Sequence, residues 1–147
     1  MHDVEILNKF LKDELSATET YQQALDMLRE NAELGDAIDL MPIYENHNDA
    51  VSSLQALINR LGGTPCEGSG AWGTWAKIVM EGAGLLGKEA VFKALQEGEK
   101  NGIDDYEEVL KITELSSDIR SLIETKLLPA QQRHIHTLDR HLGAETD

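Results

Sequence analysis

Two pairs of polar residues recur along the chain at one spacing, and each pair combines a carboxylate with a phenol. Glu14 is followed seven residues later by Tyr21, and Glu99 is followed seven residues later by Tyr106. Residues at this spacing lie two turns apart on the same face of an α-helix. The repeat therefore indicates a duplicated helical unit that presents a glutamate at a matched depth in each copy.

A histidine follows each of these pairs at a matched position. His47 lies five residues after Pro42, and His134 lies five residues after Pro129. Carboxylates and imidazoles together are ligands for divalent ions such as Fe, Mn and Zn. The order Glu, His, Glu, His therefore predicts a polar centre in the molecule whose side chains are of the types that hold one such ion. The predicted ligands are Glu14, His47, Glu99 and His134.

All four predicted ligands interrupt lines of apolar residues that step by three and four, the spacing of an amphipathic helix. The pattern predicts four helices, over about residues 3–30, 36–61, 89–112 and 118–142, with Pro129 as a kink in the last. Helices of this length with one apolar face pack as an all-α bundle, and the predicted ligands then point into its core.

The connections between these helices differ in length. Short turns at about residues 31–35 and 113–117 predict two antiparallel helical hairpins. Residues 62–88 form a long, glycine-rich crossover, in which Trp72 and Trp75 indicate one short helix packed on the side of the bundle. A connection of this length can run from one end of the bundle to the other.

The composition excludes several classes of protein. The chain, 1–147, is of a length that predicts a single domain, and its net charge is −14 from 27 acidic and 13 basic side chains. This charge argues against nucleic acid or anionic lipid as a partner and is typical of a solvated acidic surface. No apolar run approaches the roughly 18 residues of a membrane span. The N-terminus has no signal-peptide pattern. The chain has one cysteine, Cys66, so no internal disulfide can form. We expect a cytoplasmic protein, either a monomer or a homodimer.

Two interpretations of the buried polar residues stay open at this point. A carboxylate buried without a partner is costly, so the core needs either a divalent ion or a network that joins the glutamates to the histidines, Tyr21 and Tyr106. If an ion is bound, its removal leaves Glu14 and Glu99 facing each other, and Glu99→Ala is expected to stabilise the metal-free protein. If no ion is bound, the same substitution leaves a buried histidine without its hydrogen-bond partner and destabilises the protein. In both cases the tyrosine hydroxyls are expected to reach a buried acceptor.

The arrangement resembles the ferritin superfamily, which includes ferritins, bacterioferritins and rubrerythrins. In its di-iron members each hairpin supplies a Glu from its first helix and a Glu-x-x-His from its second. The resemblance implies the first role for Glu14 and Glu99, and the imidazole role for His47 and His134. It also implies a ferritin-like four-helix bundle as the fold.

The chain departs from that pattern at two positions. Tyr44 lies three residues before His47, and Gln131 lies three residues before His134, where the resemblance implies carboxylates. Without those carboxylates the ligands suffice for one metal ion and argue against a ferroxidase or peroxidase site. We expect a metal-binding bundle or, alternatively, a structural or stress-associated bundle with a metal-free polar network. An enzyme built on this site would be a metal-dependent oxidoreductase.

A closer resemblance is to a group of small, uncharacterised ferritin-like four-helix proteins. The shared features are the Leu-Gly-Gly-x-Pro run at 61–65, the Gly- and Trp-containing crossover, the Gly-Glu-x5-Asp-Tyr-Glu-Glu-x-Leu run at 98–110, and Leu128-Pro129 with a later histidine. These features extend over nearly the whole chain, and their order carries the resemblance. It implies the fold more firmly than the function.

Overall fold

The structure is a computed structural model that describes residues 2–68 and 87–143, and every regular element in these ranges is helical. The helices are α1 (His2–Glu30), α2 (Leu34–Arg60), α3 (Lys88–Leu110), α4 (Ser117–Leu122) and α5 (Leu128–Gly143), with a π-helical segment (Ile123–Leu127) between the last two. Because α4, the π segment and α5 are continuous, the chain builds four long helices that pack against one another, as the apolar spacing predicted. The predicted boundaries lie within two residues of the observed ones.

The first two helices run in opposite directions around a tight turn. Ala32 adopts a left-handed backbone with φ of 59°, and the Glu33 amide donates to the Leu28 carbonyl at 2.8 Å. At the far end of α1, the Asn8 side chain donates to the carbonyl of Thr64, just beyond α2. Contacts therefore pair the start of one helix with the end of the other.

The third and last helices are also antiparallel. Ser116 caps α4, because its hydroxyl accepts a hydrogen bond from the backbone N–H of Ile119. The Arg120 guanidinium donates hydrogen bonds to the carbonyls of Leu110 and Ile112. These bonds satisfy carbonyls that the end of α3 leaves without helical partners. The short turn brings α5 back along α3.

The two helix pairs meet so that α2 ends and α3 begins at opposite ends of the bundle. The Lys88 ammonium at the start of α3 lies 2.9 Å from a carboxylate oxygen of Asp36 and 3.4 Å from one of Glu33, beside the α1–α2 turn. Gly63, just after α2, lies against Val4 at the other end. The predicted helix around Trp72 and Trp75 lies outside the described residues.

The core consists of two apolar clusters with a polar layer between them. One cluster lies toward the α1–α2 turn and includes Tyr21, Leu25, Leu28, Leu40, Phe92, Leu95 and Leu138. The other lies toward the α3–α4 turn and includes Leu7, Phe10, Leu11, Leu54, Tyr106, Ile119 and Ile123. The polar layer contains Glu14, His47, Glu99, Gln131 and His134, all buried. The two apolar clusters separate this layer from both ends of the bundle.

The last helix contains a π-helical turn where the sequence predicted only a proline kink. The Leu128 amide donates to the carbonyl of Ile123, five residues earlier, instead of four. Pro129 has no N–H, and its ring would crowd the carbonyl of Thr125 in a regular α-helix. The wider turn before Pro129 relieves that conflict and lets the helix continue. Within the described ranges, no helix combines the length and apolar character needed to cross a bilayer.

Candidate functional site

All four residues that the repeat singles out lie in the polar layer. Glu14 comes from α1, His47 from α2, Glu99 from α3 and His134 from α5, and each exposes at most 4% of its surface. The rings of His47 and His134 have centroids 4.9 Å apart. The matched positions in the sequence therefore correspond to one cluster at the centre of the bundle.

His47 lies between the two glutamates. Its Nδ1 is 2.5 Å from Oε1 of Glu14, and its Nε2 is 2.7 Å from Oε2 of Glu99. Burial by itself would lower the pKa of His47, but the adjacent Glu99 and Glu14 carboxylates raise that pKa to about 10. The ring is therefore an imidazolium that donates both of its N–H groups.

This geometry corrects the expectation that the two carboxylates face each other once no ion is bound. The charged ring of His47 separates Glu14 from Glu99 and is hydrogen-bonded to both. An imidazolium supplies the positive charge that the sequence argument assigned to a metal. Repulsion between the carboxylates is thus already relieved within the chain, and the expected stabilisation by Glu99→Ala loses its basis.

Glu99 is the most extensively bonded group in the layer. Its Oε2 accepts from the Tyr21 hydroxyl at 2.6 Å and from His47. Its Oε1 accepts from the Gln131 amide at 3.0 Å and lies 3.1 Å from Nδ1 of His134. Burial would raise the pKa of Glu99, but His47 and His134 hold that pKa far below its usual range. Four partners occupy the lone-pair sites that an ionised carboxylate offers.

The two repeated tyrosines cross between the helix pairs. Tyr21 on α1 donates to Glu99 on α3, and Tyr106 on α3 donates to Oε2 of Glu14 on α1 at 2.5 Å. Burial and the neighbouring carboxylates raise the pKa of both phenols well above 10, so both remain protonated donors. The expectation that these hydroxyls reach a buried acceptor is confirmed.

Gln131, which the sequence marked only as a departure from the ferritin pattern, belongs to the layer. Gly102 leaves the space for it, since a Cβ at that position would overlap the Gln131 amide. Its counterpart Tyr44 is half-buried and points its hydroxyl at Gln22, 3.4 Å away and outside the layer. Gly102, one turn after Glu99, is therefore the feature of the sequence that could have indicated that Gln131 lies in the polar layer.

Asn46 is a further residue that sequence reasoning missed. Its Oδ1 lies 3.1 Å from Nε2 of His134, so α2 contacts the second histidine through the residue next to His47. No spacing or repeat distinguishes this asparagine in the sequence. His134 thus has one carboxylate and one amide as partners.

Three of the predicted ligands have the geometry of a metal-binding group. Each of these residues offers one ligand atom, and the three atoms lie within 4.8 Å of one another; the residues are His47, Glu99 and His134. Glu14 is not in this set, because its carboxylate contacts His47 at the opposite ring nitrogen from Glu99. This is the position of a carboxylate that orients a metal-binding imidazole.

A side pocket of about 120 Å³ reaches the layer between α2 and the last helix. His47, Gln131 and His134 line its inner part, and the π-helical segment contributes Thr125 and Lys126 to its wall. The Oε1 atom of Gln131 is buried and has no hydrogen-bond partner among the described residues. The layer is therefore accessible from one side of the bundle, and one of its acceptors is unsatisfied.

Comparison with known proteins gives one result. Residues 2–112 match a family described as a domain of unknown function, DUF2383, and the chain belongs to this family. The matched residues include Glu14, His47 and Glu99, whereas Gln131 and His134 lie beyond them. No curated protein and no solved structure matches the chain significantly.

Proposed function

We propose that this member of DUF2383 is a ferritin-like four-helix bundle that binds one divalent metal ion in its polar layer. The observation that carries the proposal is the buried trio His47, Glu99 and His134, whose ligand atoms lie within 4.8 Å of one another. Two imidazoles and one carboxylate are a donor set used for Fe, Mn and Zn. The ferritin-like arrangement is supported by two antiparallel helix pairs and by the opposite ends at which α2 stops and α3 starts.

The geometry supports a different role for Glu14 from the one that the sequence assigns. Under the proposal, His47 binds through Nε2, His134 through Nδ1, and Glu99 through its carboxylate. Glu14 keeps the Nδ1–H of His47 in place, as second carboxylates do around metal-bound imidazoles. Because His47 must lose its Nε2 proton first, binding releases a proton.

We propose binding without turnover. Tyr44 and Gln131 stand where further carboxylates would be needed for a second ion, and only Gln131 contacts the layer. A bound Fe or Mn ion would supply redox chemistry, so the enzyme activity we would propose for this site is that of a metal-dependent oxidoreductase. We also propose that the protein is cytoplasmic and forms a monomer or homodimer. Its net charge of −14 supports the further proposal that it binds neither nucleic acid nor membranes.

A second candidate function rests on the saturation of the layer. Glu99 has four partners, and the His47 imidazolium neutralises one carboxylate without any metal. Such a network would make the protein a structural bundle whose buried polar groups specify one arrangement of its helices. The two candidates differ in whether His47 can exchange a proton for an ion.

Metal content and titration separate the candidates. Protein purified without added metal or chelator is analysed for Fe, Mn and Zn, and chelator-treated protein is titrated with each ion by calorimetry, anaerobically for Fe(II). We expect one ion per chain, and a loss of affinity of at least roughly tenfold in His134→Gln, in line with the loss of one ligand.

His136→Gln is the matched control, because His136 is exposed on the same helix two residues away. It should bind metal as the unsubstituted protein does. Metal-free protein that resists titration with all three ions would overturn the metal proposal and leave the network. Undiminished binding in His134→Gln would place any bound ion outside the layer.

A further inference from the structure

We infer that an apolar groove at one end of the bundle binds a small organic amine, a ligand with an apolar body and a positively charged head. The groove lies between the start of α1 and the turn from α3 to α4, and the inference does not require a metal in the polar layer. It rests on the size of the groove, on its exposed apolar surface and on the charges around that surface. The lining residues are Asp3, Glu5, Ile6, Lys9, Ile112, Glu114 and Leu115.

The groove has the size of a site for a small molecule. Its volume is about 570 Å³, and ligand pockets in proteins have volumes of roughly 300–1,000 Å³. Seven residues line it, whereas a stable interface between two proteins takes about 20–30 residues from each side. The groove therefore fits a compact ligand better than it fits the surface of a folded partner.

Three aliphatic side chains give the groove an apolar surface. Leu115 is buried, Ile6 is half-buried, and Ile112 exposes 42% of its surface. An alkyl chain that lies on Ile112 removes apolar surface of both partners from water, which favours binding. The apolar body of the ligand is therefore assigned to this surface.

Hydrogen bonds fix the wall that carries Ile112 before a ligand binds. The Ile112 carbonyl accepts from the Arg120 guanidinium at 2.9 Å and from the Leu115 amide at 3.3 Å. The next residue, Ser116, caps α4 with its hydroxyl. A wall that is already ordered loses little conformational freedom on binding, so the apolar contact is not offset by the cost of ordering the turn.

The charged side chains around the apolar surface favour a cation. Asp3, Glu5 and Glu114 contribute three negative charges, and Lys9 contributes one positive charge. The excess is negative at the formal charges of these side chains and does not depend on the protonation of a histidine. The first turn of α1 adds roughly half a unit of positive charge, which is too little to reverse the sign. An ammonium head is therefore attracted to the groove, and an anion is repelled.

Each of these two features excludes some classes of ligand. A metal ion or a short amine carries positive charge but has no body that covers Ile112. A fatty acid has that body, but its carboxylate meets the negative excess of the lining. Hexylamine combines an alkyl chain with an ammonium head. Hexan-1-ol lacks the charge, hexanoate reverses it, and methylamine lacks the chain, so the four compounds isolate the two features.

The test is a titration followed by NMR on chelator-treated, full-length protein at neutral pH and constant ionic strength. Each of the four compounds is added to a separate sample, and the methyl signals of Ile6, Ile112 and Leu115 are recorded. We expect saturable shifts with hexylamine. The affinities for hexan-1-ol, hexanoate and methylamine should be weaker by at least roughly fivefold, because each compound loses either the charge attraction or the apolar contact.

A double variant tests the role of the charges. Glu5→Gln combined with Glu114→Gln leaves one carboxylate and one ammonium in the lining, so hexylamine should bind no more tightly than hexan-1-ol. Glu97→Gln combined with Glu107→Gln removes the same charge from exposed positions of α3 outside the groove. This control should keep the preference for hexylamine, because charges farther away than about 10 Å are screened by salt.

A second pair of variants tests the apolar surface. Ile112→Ser should weaken the binding of hexylamine and of hexan-1-ol alike, since both place an alkyl chain on that side chain. Leu61→Ser is the matched control, because Leu61 exposes 38% of its surface and lies outside the groove, and it should change neither affinity. Thermal melting verifies that each variant is folded.

Several results would overturn the inference. Absence of saturable shifts with hexylamine would show that the groove holds no such ligand. Affinity for hexan-1-ol or hexanoate equal to that for hexylamine would show that the charges do not select a cation, as would equal losses in the two double variants. Undiminished binding in Ile112→Ser would place the alkyl chain elsewhere. The groove shares no residue with the proposed metal site, so either proposal can fail without the other.

Discussion

His47 and His134 hold matched positions in the two helix pairs, yet their surroundings differ. His47 has a carboxylate at each ring nitrogen, and the ring of Tyr21 stacks beside it with centroids 5.2 Å apart. His134 has Glu99 at one nitrogen and the amide of Asn46 at the other. One histidine is therefore enclosed by negative charge, and the other joins the charged centre to a neutral side chain.

The difference shows that a repeat specifies position more firmly than chemical state. Two negative neighbours keep a proton on His47 even though burial opposes it. Within residues 2–68 and 87–143, Glu99 is the one carboxylate hydrogen-bonded to His134. The layer therefore depends on His47 for its charge balance, and substitutions of the two histidines should have unequal consequences.

The largest expected effect comes from Glu99, which both histidines contact. Glu99→Ala removes the acceptor of Tyr21, Gln131 and both rings, and it leaves the His47 imidazolium with one carboxylate. We expect the free energy of unfolding of metal-free protein to fall by about 3–5 kcal/mol, as when one partner of a buried ion pair is removed. Urea denaturation measures this loss.

Glu97→Ala serves as the control for Glu99→Ala, because Glu97 is exposed on the same helix. It should change the stability by less than about 0.5 kcal/mol. A Glu99→Ala variant as stable as the unsubstituted protein would mean that the carboxylates repel each other after all, and the role given to His47 would be wrong.

The second prediction compares the two histidines directly. His47→Gln removes the imidazolium that lies between Glu14 and Glu99 and should cost roughly 3 kcal/mol, since two buried carboxylates are left to interact. His134→Gln keeps a donor near Glu99 and should cost about 1 kcal/mol. Both are measured by urea denaturation without metal, with His136→Gln as the exposed control. Equal losses would show that the repeat is symmetric in energy as well as in sequence.

The third prediction concerns pH. The pKa of His47 is raised from 6.5 to about 10 in the folded chain, so its contribution to stability is complete below pH 6.5 and is lost as pH rises toward 10. The pKa of Glu99 is lowered from 4.5, so its contribution is present above pH 4.5 and is lost as pH falls. Metal-free protein should thus be most stable between pH 4.5 and 6.5. Thermal melts of His47→Gln should lack the alkaline decline.

Metal affinity should respond in the opposite direction over the same alkaline range. Binding requires the neutral His47 ring, so the affinity should rise with pH up to the pKa of that ring in the folded chain, about 10. The sequence alone would place the pH dependence of metal affinity near the ordinary pKa of histidine. The carboxylates beside His47 move this pH range upward, because they raise the pKa of its ring. Titrations in buffers of different ionisation enthalpy count the released proton. Affinity independent of pH above 7 would exclude Nε2 of His47 as a ligand.

The sequence was sufficient for the helices and for the convergence of the four polar residues, because apolar spacing determines which face of a helix is buried. Spacing also placed Tyr21 and Tyr106 in the core. It could not show that His47 lies between the glutamates, since periodicity does not distinguish the two nitrogens of a ring. Nor could it locate Asn46, whose contact with His134 depends on how two helices pack.

The roles of Gln131 and of the π-helical segment were missed for a related reason. Gln131 departs from the ferritin pattern, but its place in the layer depends on the space beside Gly102, on another helix. The proline at 129 indicated a distortion, and the structure shows that a wider turn, instead of a simple kink, accommodates it. The place of Gln131 depends on how two helices approach each other, which no single helix pattern contains, and a proline in a helical pattern does not specify which distortion accommodates it.

Effects smaller than those of Glu99→Ala and His47→Gln are expected from the tyrosines that join the two helix pairs. Tyr21→Phe and Tyr106→Phe each remove one hydroxyl donor to a buried carboxylate and leave the ring in place, so each should lower stability by about 1–2 kcal/mol. Tyr44→Phe is the control from the same chain, because its hydroxyl makes a 3.4 Å contact with Gln22 in an exposed setting, and it should cost less than about 0.5 kcal/mol. Urea denaturation of the three variants gives the ranking. Tyr21→Phe and Tyr106→Phe variants as stable as the unsubstituted protein would show that the reciprocal link between these two phenols and the glutamates carries no stability.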